Sequence, residues 1–286
     1  HLSIGQEAIP SSLSLLSNKN DKVFSTHRNH HHYLAFKGSL ENMFREMMGK
    51  ANSSSGGRGG SMHLFDKQSQ HFLSLPIVGS SIPIGVGSAY HSKYFKKKFL
   101  SYIFLGDATV EEGVFHESLN FASLKQLPAI FICENNLYSV YTPLKQRQPK
   151  RDLSLLAKAH NINTINVSSK NIFSIYKKLN EILIKCRKTN TPYFINVETY
   201  RFVEHCGPNN DDHLKYRSLS EIKKYEKLDT LYLLEKKLLG KSKNFSSLKD
   251  KTIRDIKYKI NSSYNKALKA PRPKNITKSI YEIYAR

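Results

Sequence analysis

The stretch Ser101-Tyr102-Ile103-Phe104-Leu105-Gly106-Asp107-Ala108 and its counterpart Ala129-Ile130-Phe131-Ile132-Cys133-Glu134-Asn135-Asn136 decide the reading of this chain. Each is a short continuous apolar run that ends in oxygen-bearing side chains. Runs of this length fit strands buried on both faces, as in a parallel sheet. Between them Val114, Phe115, Leu119 and Ala122 recur at helical spacing. The pattern predicts a strand, a crossover helix and a parallel strand, with oxygen ligands at both carboxyl ends. Open parallel sheets bind ligands at that edge. An Asp carboxylate, an Asn side-chain carbonyl and a nearby backbone carbonyl suit Mg²⁺, which completes its shell with phosphate oxygens and water. The residues therefore point to Mg²⁺ plus a diphosphate. Taken alone, they also describe an ordinary strand–helix–strand unit whose Asp and Asn cap turns.

Outward from this unit the pattern continues. Leu153 to Ala159 begins a helix, Ile162 to Val167 is a strand, Ile172 to Cys186 is an amphipathic helix, and Tyr193 to Thr199 is a strand ending at Tyr200-Arg201. The order from 99 to 200 is β-α-β-α-β-α-β, which predicts an α/β fold with a doubly wound, mainly parallel sheet flanked by helices. Residues 1–50 read as mostly helical, with an apolar stripe at Leu40, Met43, Phe44 and Met47. The Ser53–Ser61 run of Ser and Gly is a loop inside the domain, whose amides suit close approach to an anion. Gly85, Gly87, Ser88 and Ala89 would let a helix pack closely on the sheet or on another subunit. After Asp212 the chain turns helical through Leu219–Leu239 and Ile253–Leu268, and Pro271-Arg272-Pro273 breaks the pattern before a short last segment. We expect residues 1–240 to form the main domain and 241–286 a helical C-terminal extension of it.

A chain of 286 residues can bury one sizeable core. Its 45 Lys and Arg against 23 Asp and Glu give a net charge of +22. No zinc-finger, RNA-recognition or helix-turn-helix signature accompanies that charge. It reads either as a solvated Lys-rich surface or as a basic face for docking a protein partner, and nucleic-acid binding is not expected. Three cysteines, Cys133, Cys186 and Cys206, with no Cys-x-x-Cys pair, argue against a disulfide framework or a zinc site. No apolar run approaches the ~20 residues that span a bilayer, and no secretory signal is visible. The expectation is a cytoplasmic protein with no membrane association. The chain begins at His1 without an initiator Met, and we read it as a fragment or processed chain.

The motifs, taken in order, resemble the α subunit of the thiamine-diphosphate-dependent dehydrogenase component of 2-oxo acid dehydrogenase complexes, the group that includes the pyruvate, branched-chain and acetoin enzymes. The resemblance runs from His1 to about Leu239. His1-Leu2-Ser3-Ile4-Gly5-Gln6-Glu7-Ala8 is similar to the entry motif, whose His lines the substrate side of the pocket. Ser25-Thr26-His27-Arg28-Asn29-His30-His31-His32 is similar to a segment whose first two matched residues, here His27 and Arg28, contact the diphosphate. Asn29 and His31 stand where small residues are common. Gly57-Arg58-Gly59-Gly60-Ser61-Met62-His63 resembles a loop that closes over the cofactor, and Ile77-Val78-Gly79 the segment that supports the aminopyrimidine ring, with Val78 at the contact. Gly106-Asp107-Ala108 resembles the Gly-Asp-Gly triplet, with Ala for the last Gly, and Glu134-Asn135-Asn136-Leu137-Tyr138 follows the consensus closely. Tyr200-Arg201-Phe202-Val203-Glu204-His205 ends in the cofactor-side His, and Cys206 stands where the family carries a regulatory phosphoserine.

The resemblance implies a thiamine-diphosphate-binding fold and two cofactors, thiamine diphosphate and Mg²⁺. It implies Asp107, Asn136 and the Tyr138 carbonyl as metal ligands. It implies cofactor contacts from His27, Arg28, Val78, Gly106, Asp107, Ala108, Thr109, Asn136, Tyr138 and His205, and catalytic roles for His205, His1 and His63. The implied reaction is decarboxylation of a small, pyruvate-like 2-oxo acid and transfer of the acyl unit to lipoamide. The acid that activates the cofactor belongs to a β subunit, so the expected partners are that β subunit, in an α₂β₂ assembly, and a lipoyl acyltransferase. The alternative is a related enzyme that transfers an aldehyde unit to another acceptor, in acetoin or surface-sugar metabolism.

Overall fold

Residues 1–150, 152–241 and 244–274 are described here from a computed structural model. Arg151 and the segment after residue 274 lie outside them. The strands are β1 (Lys22–Ser25), β2 (His71–Ser74), β3 (Ser101–Gly106), β4 (Ala129–Asn135), a hairpin of β5 (Tyr138–Ser139) and β6 (Thr142–Pro143), β7 (Asn163–Ser168) and β8 (Tyr193–Glu198). The helices are α1 (Ala8–Leu16), α2 (His30–Ala35), α3 (Leu40–Met47), α4 (Ser81–Tyr94), α5 (Gly113–Leu124), α6 (Leu144–Arg147), α7 (Ser154–Ala159), α8 (Ile172–Thr189), α9 (Leu219–Glu226), α10 (Thr230–Leu239) and α11 (Phe245–Lys269).

The main sheet runs β2-β1-β3-β4-β8-β7, and every neighbouring pair in it is parallel. Alternate residues of one strand feed two cores. Tyr102 and Phe104 join Ile130, Ile132 and Ile195 beneath α1 and α8. Ile103 and Leu105 join Phe131, Cys133 and Phe194 beneath α4, α5 and α7. This double burial explains why β3 and β4 read as unbroken apolar runs. The four strands expected between 99 and 200 are present, and the sheet extends by two more. β1 lies within the stretch expected to be mostly helical, and β2 was not foreseen. Both are four residues long, too short for a periodic signal, and both carry polar residues that pair internally. Ser25 Oγ lies 2.7 Å from His32 Nδ1, and Ser74 Oγ 2.6 Å from His71 Nε2.

The chain passes from β1 out to β2 and then returns across β1 to β3, so the winding reverses between β1 and β3. Ligand crevices in such sheets open at the carboxyl ends of strands on either side of that reversal. The opposite, amino edge is sealed by Asp21, which is 1 % exposed. It accepts from Leu100 N (2.9 Å), Asn18 N (2.8 Å), the Tyr102 hydroxyl (2.6 Å) and Arg187 Nη1 (3.0 Å). Protein donors satisfy that carboxylate fully, and it fastens α8 to the sheet.

The C-terminal helices differ from expectation in detail. Leu219–Leu239 is two helices, α9 and α10, because Ser218 and Asp229 each cap a new N-terminus with the side chain. α11 starts at Phe245 and leans on α3, where the Phe44 and Tyr264 rings meet edge to face at 5.7 Å. Lys50 Nζ also donates to the Leu268 carbonyl at 2.8 Å.

The small residues of α4 divide by face. A Cβ on Gly85 would lie 2.6 Å from Ile103 Cγ1, whereas one on Gly87 would meet nothing within 4 Å. The close approach of helix to sheet therefore depends on Gly85 alone of the two. Overpacking costs about 1–3 kcal/mol, and Gly to Ala in an open helical position gains about 0.5–1 kcal/mol. Gly85→Ala should lower the urea midpoint of the chain while Gly87→Ala leaves it unchanged or raises it. Equal effects of the two substitutions would contradict this packing.

Candidate functional site

The carboxyl ends of β1, β3 and β4 converge on one cavity of about 140 Å³. β1 delivers Thr26, His27 and Arg28, β3 delivers Gly106, Asp107, Ala108 and Thr109, and β4 delivers Glu134, Asn136 and Tyr138. Val78 and His205 complete the set expected from the sequence. All ten expected cofactor contacts thus line one cavity. Among the expected catalytic residues, His205 lines the cavity directly. His1 stands behind it, its ring centroid 4.8 Å from His27 and 5.1 Å from His205. His63 does not line the cavity, and its Nδ1 lies 2.8 Å from the Gly59 carbonyl.

One side of the cavity is built for an anion. Arg28 is 5 % exposed, and its Nη2 donates to His205 Nδ1 at 3.1 Å and to the His205 carbonyl at 3.0 Å. Nη1 donates to the Leu2 carbonyl. Burial lowers the Arg28 pKa to about 10, so it remains a cation at neutral pH. Burial, then the Arg28 charge, pushes His27 down to about 4 and His205 to about 3. Both imidazoles are therefore neutral at pH 7. A guanidinium only donates, so His205 Nδ1 is the acceptor and Nε2 carries the proton. That leaves a neutral N–H donor on a ring of the cavity wall.

The other side is built from oxygens. Asp107, 2 % exposed, begins a single-turn helix at Asp107–Glu111 directly after β3. Burial raises its pKa, and the charge and hydrogen bond of Arg147 oppose the rise. Asn136 Oδ1 accepts from Tyr138 N at 3.2 Å, which leaves a second lone pair for a ligand. The Tyr138 carbonyl sits opposite Pro143 in the hairpin, a residue with no N–H to offer it. A carboxylate, an amide oxygen and a peptide carbonyl form a hard donor set that suits Mg²⁺ rather than a soft metal. The residues present thus fit a diphosphate held by a hard cation.

Two His clusters bring potential metal ligands within 4.8 Å of one another. In the first, His1, His27 and His205, the Arg28 cation is already hydrogen-bonded to one ring, which favours an anion over a second cation. In the second, the stacked rings of His31 and His32 lie 3.8 Å apart, and each takes a different oxygen of Glu134, at 3.0 and 3.3 Å. Burial works against the Glu134 charge, but the two imidazoles hold its pKa well below the usual carboxylate range. His31 and His32 thus support the floor of the cavity. Nothing in the spacing of residues a hundred apart signalled this.

The Ser- and Gly-rich loop departs from its expected role. Its amides do face a carboxylate, but it is Glu46, 1 % exposed, which accepts from Ser55 N at 2.8 Å and Gly59 N at 2.6 Å. The loop is held to α3, and none of its residues lines the cavity. Gln6 and Gly79, which lie in motifs quoted above without a contact role of their own, and Val140, which lies in none, also line the cavity. Gly79 is needed for its backbone: φ is +84°, and a Cβ there would lie 2.9 Å from Val114 Cγ1. The most consequential unforeseen residue is Arg147, whose guanidinium bridges Asp107 and Glu111.

Residues 1–276 match the family described as the dehydrogenase E1 component. Among curated proteins, the chain is 33% identical over 274 residues to the pyruvate dehydrogenase E1 component subunit alpha of Rickettsia prowazekii, covering 94% of this chain and 83% of that one. The corresponding Rickettsia typhi protein is 34% identical over 239 residues, covering 84% and 72%. The alpha subunit of acetoin:2,6-dichlorophenolindophenol oxidoreductase from Bacillus subtilis is 31% identical over 280 residues, covering 96% and 81%. With a family match over nearly its whole length and relatives of this identity and coverage, the chain belongs to the dehydrogenase E1 component family, as an alpha-subunit member.

Proposed function

We propose that this chain is the α subunit of a heteromeric oxidoreductase that decarboxylates a 2-oxo acid with thiamine diphosphate and Mg²⁺ and passes the acyl unit to lipoamide. One observation carries the reading: the anion-binding residues Arg28, His27 and His205 and the oxygen donors of Asp107, Asn136 and Tyr138 line a single cavity. When bound, thiamine diphosphate supplies the electron sink that decarboxylation of a 2-oxo acid requires. Arg28 neutralises diphosphate charge from a site where its own charge is fixed by three acceptors. His205 donates from Nε2 to the diphosphate or to the reacting group. Asp107, Asn136 and the Tyr138 carbonyl hold the metal, and the backbone at Ala108 and Thr109 meets the diphosphate. His1 packs against His27 and His205 on the substrate side, and His63 serves through the loop it braces.

The cavity supports an assembly with a β subunit. A whole cofactor pocket encloses about 300–1,000 Å³, and this one offers about 140 Å³. The volume suits the diphosphate and metal. Beside it, Ile77 and Val78 form an apolar shelf that is 73 % and 43 % exposed, where the ring system would rest against a second chain. The similarity to an acetoin oxidoreductase subunit supports a second reading, transfer of an aldehyde unit to a different acceptor on the same cofactor site. Among the described residues no helix is long and apolar enough to cross a membrane.

Asp107→Asn, which keeps size and removes charge, should abolish Mg²⁺-dependent binding of thiamine diphosphate by the α–β assembly in calorimetry. Unchanged binding would sink the site assignment. His205→Ala removes one donor to a charged group, a loss of about 1.5–3 kcal/mol, or roughly ten- to a hundredfold in turnover. His213→Ala, exposed and outside the cavity, is the control. Wild-type rates in both variants would make His205 a structural residue.

A further inference from the structure

The carboxylate assigned to the metal already has a cation on it. Arg147 comes from α6, forty residues further along the chain, and its side chain is 10 % exposed. Nη2 donates to Asp107 Oδ2 and Nη1 to Glu111 Oε1, while Nε donates to the Thr142 carbonyl at 3.3 Å. The next residue reinforces the bridge. Gln148 Nε2 donates to Glu111 Oε1 at 2.7 Å and to the Asp107 carbonyl at 3.3 Å. The two residues fasten the β6–α6 segment to the end of β3 through the Asp107–Glu111 turn.

We propose that Arg147 is a resident counter-ion of Asp107 that competes with the divalent metal for this carboxylate, so that loading the site moves the guanidinium off Asp107 and onto Glu111 alone. The inference rests on the metal reading of Asp107 given above. A Mg²⁺ ion seeks near-octahedral oxygen ligation at about 2.0–2.1 Å. A guanidinium on the same carboxylate is a like charge within a few ångströms in a poorly hydrated site, where repulsion is strong. The protein provides somewhere for the displaced cation to go. Glu111 holds the second arm of Arg147, and its side chain is 33 % exposed against 2 % for Asp107, so it can keep the guanidinium in a wetter position. In the absence of metal, the same ion pair prevents Asp107 from standing as an uncompensated buried charge. Arg147 is thus a positioning residue that sets how readily the site takes a metal.

The measurement is a Mn²⁺ titration of the α–β assembly, with free ion counted by electron paramagnetic resonance, for wild type, Arg147→Gln and Arg147→Lys. Mn²⁺ alone is the probe. Loss of a charge-assisted competitor should lower the half-saturating Mn²⁺ concentration about tenfold or more in Arg147→Gln. Arg147→Lys keeps the charge without the two-armed bridge and should fall between the two, and it carries the test if the Gln variant does not fold. Mn²⁺ affinity equal to or weaker than wild type in these variants would overturn the competition, since a residue that only braces the loop, or one that assists the metal, gives those results. A wild-type assembly that takes up no Mn²⁺ even with thiamine diphosphate present would overturn the metal-site reading itself, and this inference with it.

Discussion

Asp107 places a carboxylate at 2 % exposure where three parallel strands end, and a charge that deep must be matched by cations or donors within a few ångströms. Its surroundings follow from that requirement. β3 ends at Gly106, so the carboxylate sits at the first residue past the sheet, at the crevice beside the winding reversal. Arg147 crosses from α6 to meet it, and the Asp107–Glu111 turn gives the guanidinium a second acceptor. Asp21 shows the contrast. It is equally buried at the amino edge, but four protein donors satisfy it there. One buried Asp is closed into the fold by four protein donors, and the other meets one side-chain cation, Arg147, beside backbone amides.

The electrostatics of the cavity divide along the same line. Arg28 stays charged on the anion side, and burial with that charge keeps His27 and His205 neutral. Neutral rings avoid crowding three cations into one wall and leave a defined donor at His205 Nε2. Beneath them Glu134 stays ionised between His31 and His32, so the floor carries a compensated negative charge. The net charge of +22 is a property of the whole chain. Six Lys and one Arg against two Asp in α11 account for part of it, and no residue of that helix lines this cavity.

Much of the fold was legible because double burial leaves a strong mark. Ile103 and Leu105 serve one core and Tyr102 and Phe104 the other, so the middle of β3, from Tyr102 to Leu105, is continuously apolar, and Ala129 to Cys133 of β4 follows the same rule. β1 and β2 left no such mark, being four residues long with Ser25, His71 and Ser74 engaged in polar pairs. The site residues read from motifs at strand ends, Arg28, Asp107 and Asn136 among them, line one cavity because the parallel sheet gathers its carboxyl ends. What escaped the sequence was pairing at long range. Arg147 on Asp107 and His31 on Glu134 are side-chain pairings whose partners lie forty and a hundred residues apart, and no local pattern encodes them. The Ser53–Ser61 loop was misjudged for a related reason: the anion its amides suit is Glu46, within the same fold.

We propose that Asp107, Asn136 and the Tyr138 carbonyl hold a hard cation that anchors a diphosphate against Arg28. An anomalous difference map from crystals of the α–β assembly grown with Mn²⁺ and thiamine diphosphate locates the metal directly. One strong peak is expected about 2 Å from an oxygen of each of the three residues, with the diphosphate on its Arg28 side. A peak among His1, His27 and His205, or a cofactor bound with no metal at Asp107, would contradict it.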